Sequence, residues 1–76
     1  MNINWYTDFE SSNLAAFGHA EGHLYVRFKN GGVYRYLNVP LETYEALVIS
    51  NSKGQFLAAN IKNHFEFEKL DAALVR

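Results

Sequence analysis

An α+β domain, an antiparallel sheet of two or three strands followed by two helices packed on one sheet face, is the fold class this sequence predicts. Three observations lead there. Leu24-Tyr25-Val26-Arg27-Phe28 and Val33-Tyr34-Arg35-Tyr36-Leu37 alternate with the period of half-buried strands. Asn30-Gly31-Gly32 between them is a hairpin turn, because Asn and Gly tolerate positive φ. Beyond Val39-Pro40, apolar residues recur at helical spacing. Helices gathered on one face of an antiparallel sheet are a stable layer solution.

The 76 residues make one domain, 1–76, with residues 1–11 as a lead-in and 70–76 as a tail prone to fray. Hydrophobic residues are 49% of the chain and aromatics 16%, which is enough to build a core at this size. There is no cysteine, so a thiolate zinc site is excluded and a reducing, cytoplasmic setting is expected. No apolar run approaches the roughly 18 residues of a membrane span. The N-terminus lacks the basic-then-apolar order of a secretory signal. A net charge of −1 argues against a strongly electrostatic nucleic-acid binder and leaves room for a local basic patch.

The lead-in is aromatic but aperiodic. A short strand is expected at 13–18, with Leu14, Ala16 and Phe17 as inward candidates. Gly18 and Gly22 flank an expected turn holding His19 and His23. The hairpin register decides what shares a face. A two-residue Asn-Gly loop pairs Phe28 with Val33 and sets Arg35 beside Leu24, Val26 and Phe28. A three-residue loop closed by a glycine bulge sets Tyr34 and Tyr36 there instead. Burying an unpaired arginine is expensive, so the second register is expected. Pro40 then opens a helix in which Leu41, Tyr44, Leu47 and Val48 recur, and Ser50-Asn51 ends it. Ser52-Lys53-Gly54-Gln55 reads as a capping box for a second helix over about 53–63. The stretch 64–68 alternates again, and 70–75 is a candidate helical tail.

Little in the chain points to catalysis. No serine sits in a Gly-x-Ser-x-Gly elbow, and no phosphate-binding glycine loop is present. His19 and His23 are four apart but lie beside glycines in an expected turn, so a metal site is not expected, nor a cofactor. Two surfaces remain as binding candidates. The outward sheet face carries Tyr25, Arg27, Lys29 and Arg35, with Lys53 and Lys62 as extensions; rings among cations suit single-stranded nucleic acid. Exposed strands are ordinarily studded with such residues, so a purely structural role is the competing reading. Trp5, Tyr6 and Phe9 either fold back as a lid or stay exposed as a protein-interaction patch.

The order Leu24-x-Val26-x-Phe28, Gly-rich turn, Tyr34-Arg35-Tyr36, Val39-Pro40 resembles the centre of the KTSC domain, a family named for the C-terminus of some lysyl-tRNA synthetases. The downstream Ser52-x-Gly54-x-Phe56-Leu57 and Ile61-Lys62-Asn63-x-Phe65 are also similar, as more loosely are Ser12 and Phe17-Gly18; the likeness spans about 12–67. The resemblance implies a domain of uncharacterised function, with RNA binding suggested by association with the synthetases. In the expected register Tyr34 and Tyr36 face the helices, so Tyr34, Tyr36, Pro40, Ser52 and Gly54 are expected to be structural. Two functions are thus carried forward: a weak RNA or single-stranded nucleic-acid binding module, and a protein-interaction module such as a small phage or host accessory factor that modulates a larger protein.

Overall fold

The computed structural model describes residues 3–71 and residue 73. Strands β1 (Leu14–Ala20), β2 (His23–Phe28) and β3 (Val33–Tyr36) are followed by helices α1 (Leu41–Ile49) and α2 (Lys53–Asn60) and by strand β4 (Phe67–Leu70). The sheet order is β1-β2-β3-β4, with every neighbouring pair antiparallel. The architecture is the expected α+β layer with one strand more. The helical tail expected at 70–75 lies largely outside the described residues, and Leu70 closes β4 instead.

The central hairpin takes the register that keeps Arg35 off the helix face. Leu24 pairs with Tyr36, Tyr25 with Arg35, Val26 with Tyr34 and Arg27 with Val33. Its loop is Lys29-Asn30-Gly31: Phe28 and Gly32 face each other, the Phe28 N–H donates to the Gly32 carbonyl at 2.8 Å, and Gly31 holds φ +96°. Only a residue without Cβ takes that conformation cheaply. The β1–β2 connection is tighter than expected. Glu21 and Gly22, both at positive φ, form a two-residue turn between Ala20 and His23, so His19 lies in β1 and His23 in β2.

A bulge between Leu14 and Ala16 shifts the β1 register. Leu14 and Phe17 therefore share the helix face although they are three apart. That face buries Leu14, Phe17, Leu24, Val26 and Tyr36 against Val39, Leu47, Leu57 and Ile61. Helix α1 lies against β1, and α2 against α1. Pro40 precedes α1 as its extended N-cap rather than sitting inside it. Ser52 caps α2 as expected, its hydroxyl accepting from the Gln55 N–H at 3.4 Å. Helix α2 stops at Asn60, three residues before its expected end.

The lead-in folds back over both faces. Tyr6 bridges Phe17 in antiparallel fashion. Tyr6 tilts against Phe17 and Phe9 stacks on it, at centroid distances of 5.4 and 4.8 Å, sealing the edge of the helix-side core. Ile3 and Trp5 cross the opposite face, where Ile3 joins Tyr25 and Val33 in a second buried cluster. Gly18 makes this crossing possible. A Cβ there would lie 2.6 Å from Ile3 Cγ2 and 2.8 Å from the Asn4 carbonyl oxygen.

Candidate functional site

The expected basic–aromatic face is not open. Tyr25 is 1% exposed, covered by the Ile3–Trp5 crossing, so its ring cannot receive a base. The Arg27 guanidinium lies 4.8 Å from the centroid of the Trp5 ring, a cation–π contact that joins lead-in to sheet. Arg35 Nη2 donates to both oxygens of Glu68, at 2.6 and 3.1 Å, and Nη1 reaches the Tyr25 hydroxyl at 3.5 Å. By geometry Glu68 is the stronger partner, since 3.5 Å is the limit of a hydrogen bond. The Tyr25 hydroxyl and the Glu68 carboxylate together raise the guanidinium above its already high value, so Arg35 stays charged. Lys29 is exposed in the hairpin loop, and its side chain is not part of this cluster. The correction has a physical cause: β4 brings Glu68 and Leu70 beside Arg35 and Val33, and the lead-in supplies the cover.

The aromatic patch expected of an exposed lead-in is likewise absent. Trp5, Tyr6 and Phe9 are each half-buried and act as a lid. Among the histidines, His19 Nε2 donates to the Val39 carbonyl at 2.6 Å, and His23 Nδ1 accepts from the Asn38 N–H at 3.1 Å. Both tie the β1–β2 end of the sheet to the segment leading into α1. No group of three or more metal-ligating side chains occurs among the described residues.

The opening lies at the other end of the helix face. The helices cover β1 and the centre of the sheet, leaving β3 and β4 partly bare near the hairpin loop. Tyr36 is buried there. Tyr34 is not: it is half-exposed, and its ring meets Phe28 edge-on at 5.5 Å and Phe67 at 5.7 Å. Phe67, 58% exposed, also contacts Tyr36 at 5.7 Å. These rings floor a cleft of about 530 Å³ whose rim is Asn30, Lys62 and Asn63. Ile61, fully buried, anchors the turn after α2 and fixes Lys62 and Asn63 above the sheet. Lys69, cross-strand partner of Tyr34, adds a second cation on the same face. The lining side chains include no carboxylate.

Burial lifts the Tyr36 hydroxyl above its usual value of 10.0, with a smaller contribution from Tyr34. Sequence reasoning placed Lys62 with Arg27 and Arg35; it stands on the opposite face. Lys53 is spent locally, donating to the Ser50 carbonyl at 2.5 Å. Phe28, Asn30, Asn63, Phe67 and Lys69 were not singled out as site residues. The signals that could have found them are the Ile61-Lys62-Asn63 run and an aromatic alternating with charges at 65–68.

Fold and cleft together define a class: a small α+β domain with one sheet, helices on one face, and an aromatic-floored cleft where those helices stop. The family model for the KTSC domain matches residues 10–65, and the chain belongs to that family. It is 43% identical over 47 residues to a lysine–tRNA ligase of Trichormus variabilis and 40% identical over 47 residues to one of Nostoc sp.. Each match spans 62% of this chain but only 8% of the ligase. A protein of Tsukamurella paurometabola is 38% identical over 58 residues, 74% of this chain and 87% of its own length. The crystal structure of a KTSC domain protein from Yersinia pestis superposes with a TM-score of 0.84 at 27% identity, covering 91% of this chain and 99% of the other. Most of the cleft lies within the family span; Phe67 and Lys69 fall just beyond it.

Proposed function

We propose that this domain is a non-catalytic module that binds single-stranded RNA weakly, with a base held in the cleft over Tyr34 and Phe67. The observation that carries the reading is the half-exposed Tyr34–Phe67 pair at the floor of a cleft rimmed by amides and a lysine. Rings stack on bases of any sequence, and ammonium groups meet phosphates. Few cations take part, and the net charge is −1, so the affinity is modest. Two relatives are lysine–tRNA ligases, whose work involves RNA by name. The cysteine-free composition supports a reducing, cytoplasmic setting. Docking on a larger protein is the weaker reading, because the lead-in aromatics that motivated it are packed onto the sheet.

Fluorescence anisotropy with a labelled, mixed-sequence single-stranded RNA dodecamer tests the proposal. Affinity should fall with salt at a log–log slope of roughly −1 to −1.5, as expected when Lys62 and Lys69 each displace a counterion. No binding at low salt, or binding indifferent to salt and to Phe67→Ala, overturns it.

A further inference from the structure

A second depression adjoins the cleft past Phe67. Its volume is about 560 Å³, and Lys62, Asn63, His64, Phe65, Glu66 and Phe67 line it. Lys62, Asn63 and Phe67 line both spaces and so form the wall between them. Tyr34 and Tyr36 each meet Phe67 at 5.7 Å from the cleft side, and the Phe67 ring is still 58% exposed. Phe65 is half-buried against the core, which leaves His64 as the other free ring of the second depression. The His64 side chain is exposed and has no hydrogen bond, ion pair or ring contact among the described residues. Its backbone is held: the N–H groups of His64 and Phe65 donate to the Ile61 carbonyl at 3.1 and 3.2 Å.

Successive bases of a single strand stack on successive aromatic side chains, histidine included. Two adjoining depressions, each with an exposed ring and each of small-ligand size, suit two consecutive bases. Lys62, on the shared wall, is placed for the phosphate that joins them. Glu66 lines the second depression, and its carboxylate disfavours a further phosphate there. On the hairpin side, a depression lined by Ser12, Asn13 and Lys29 also meets the cleft. Its one ring, Phe28, is packed on the core and edge-on to Tyr34, so it offers no free platform.

We infer that the site holds two consecutive nucleotides, one base over Tyr34 and Phe67 and the next against His64, with Lys62 at the phosphodiester between them. This footprint rests on the RNA-binding reading and deepens it. His64 is the residue that accepts the second base.

Amide-shift titrations with AMP, pApA and pApApA count the subsites. The second nucleotide should tighten binding about fivefold or more, the effect of one added stack, and the third by less than about twofold. His64→Ala should bring pApA within about twofold of AMP and leave AMP affinity unchanged, whereas His64→Phe, which keeps a ring, should retain the gain. Because His64 is exposed, an amide spectrum unchanged away from the turn verifies that both variants are folded. Equal affinity for AMP and pApA overturns the footprint while the RNA-binding reading stands. So does a third nucleotide that gains as much again, a gain that survives His64→Ala, or a gain lost in His64→Phe. Binding of none of the three, nor of the mixed-sequence dodecamer, overturns both.

Discussion

Tyr34 and Phe67 come from strands separated in sequence by both helices, yet their rings lie 5.7 Å apart on the same face of the sheet. The contact exists because β4 returns to pair with β3, setting Phe67 across from Tyr36 and Lys69 across from Tyr34. It turns Tyr34, expected from the sequence to be a packing residue, into part of the floor of a cleft.

Phe67→Ala should separate binding from stability. The ring is more exposed than buried, so the melting free energy should change by less than about 1 kcal/mol. A lost base–aromatic stack is worth about 1–3 kcal/mol, so RNA affinity should fall by about fivefold or more in the anisotropy titration. A variant that binds as well as the wild type would take Phe67 out of the site.

The outer face should behave as a core. Tyr25→Ala should cost about 3–5 kcal/mol in denaturant unfolding, as for other large buried aromatics. Arg27→Ala removes a cation on the face opposite the cleft and should leave RNA affinity within about twofold at 0.1 M salt. Glu68→Ala, which deprives Arg35 of its closest partner, should cost about 0.5–1 kcal/mol, and less at high salt, because both side chains are partly exposed at 24% and 43%.

Gly18→Ala should pry off the lead-in. Its Cβ would collide with Ile3 and with the Asn4 backbone, and overpacking of this kind costs about 1–3 kcal/mol. Trp5 is the chain's single tryptophan, so a red shift of its emission and faster amide exchange at residues 3–6 would report the displacement. A spectrum like that of the wild type would show that the crossing tolerates a methyl group.

Alkaline pH should destabilise the domain. Burial lifts the hydroxyls of Tyr36 and Tyr44 above 10.0, with smaller contributions from Tyr34 and Tyr6 respectively. The folded state therefore holds these protons more tightly than the unfolded state. Their contribution to stability is complete below the unfolded value near 10 and is lost as pH rises through the folded values. Urea melts at pH 9 and pH 11 should show the fall, and ultraviolet titration of the wild type against Tyr36→Phe and Tyr44→Phe should assign late-ionising hydroxyls to these two residues.

The hairpin register was legible because one residue decided it: Arg35 would have been buried without a partner in the alternative. The Ser52 cap and the helical spacing of Leu41, Tyr44, Leu47 and Val48 were legible for local reasons. The fate of the outward face was not. Tyr25 is buried by residues 3–5, and Arg35 is paired by Glu68, contacts some 20 and 33 positions away that no local period announces. Strand β4 has only four residues, two of them charged, so its alternation is indistinct until β3 supplies a partner. The cleft depends on that strand and on the turn at Lys62-Asn63, and so could not be placed before the topology was known.

Amide chemical-shift mapping of the labelled protein with the single-stranded RNA dodecamer, at low and moderate salt, tests the site most directly. The account predicts salt-sensitive shifts gathered on Phe28, Asn30, Tyr34, Lys62, Asn63 and Phe67. Shifts gathered instead on Tyr25, Arg27, Lys29 and Arg35, or a spectrum that does not move, would contradict it.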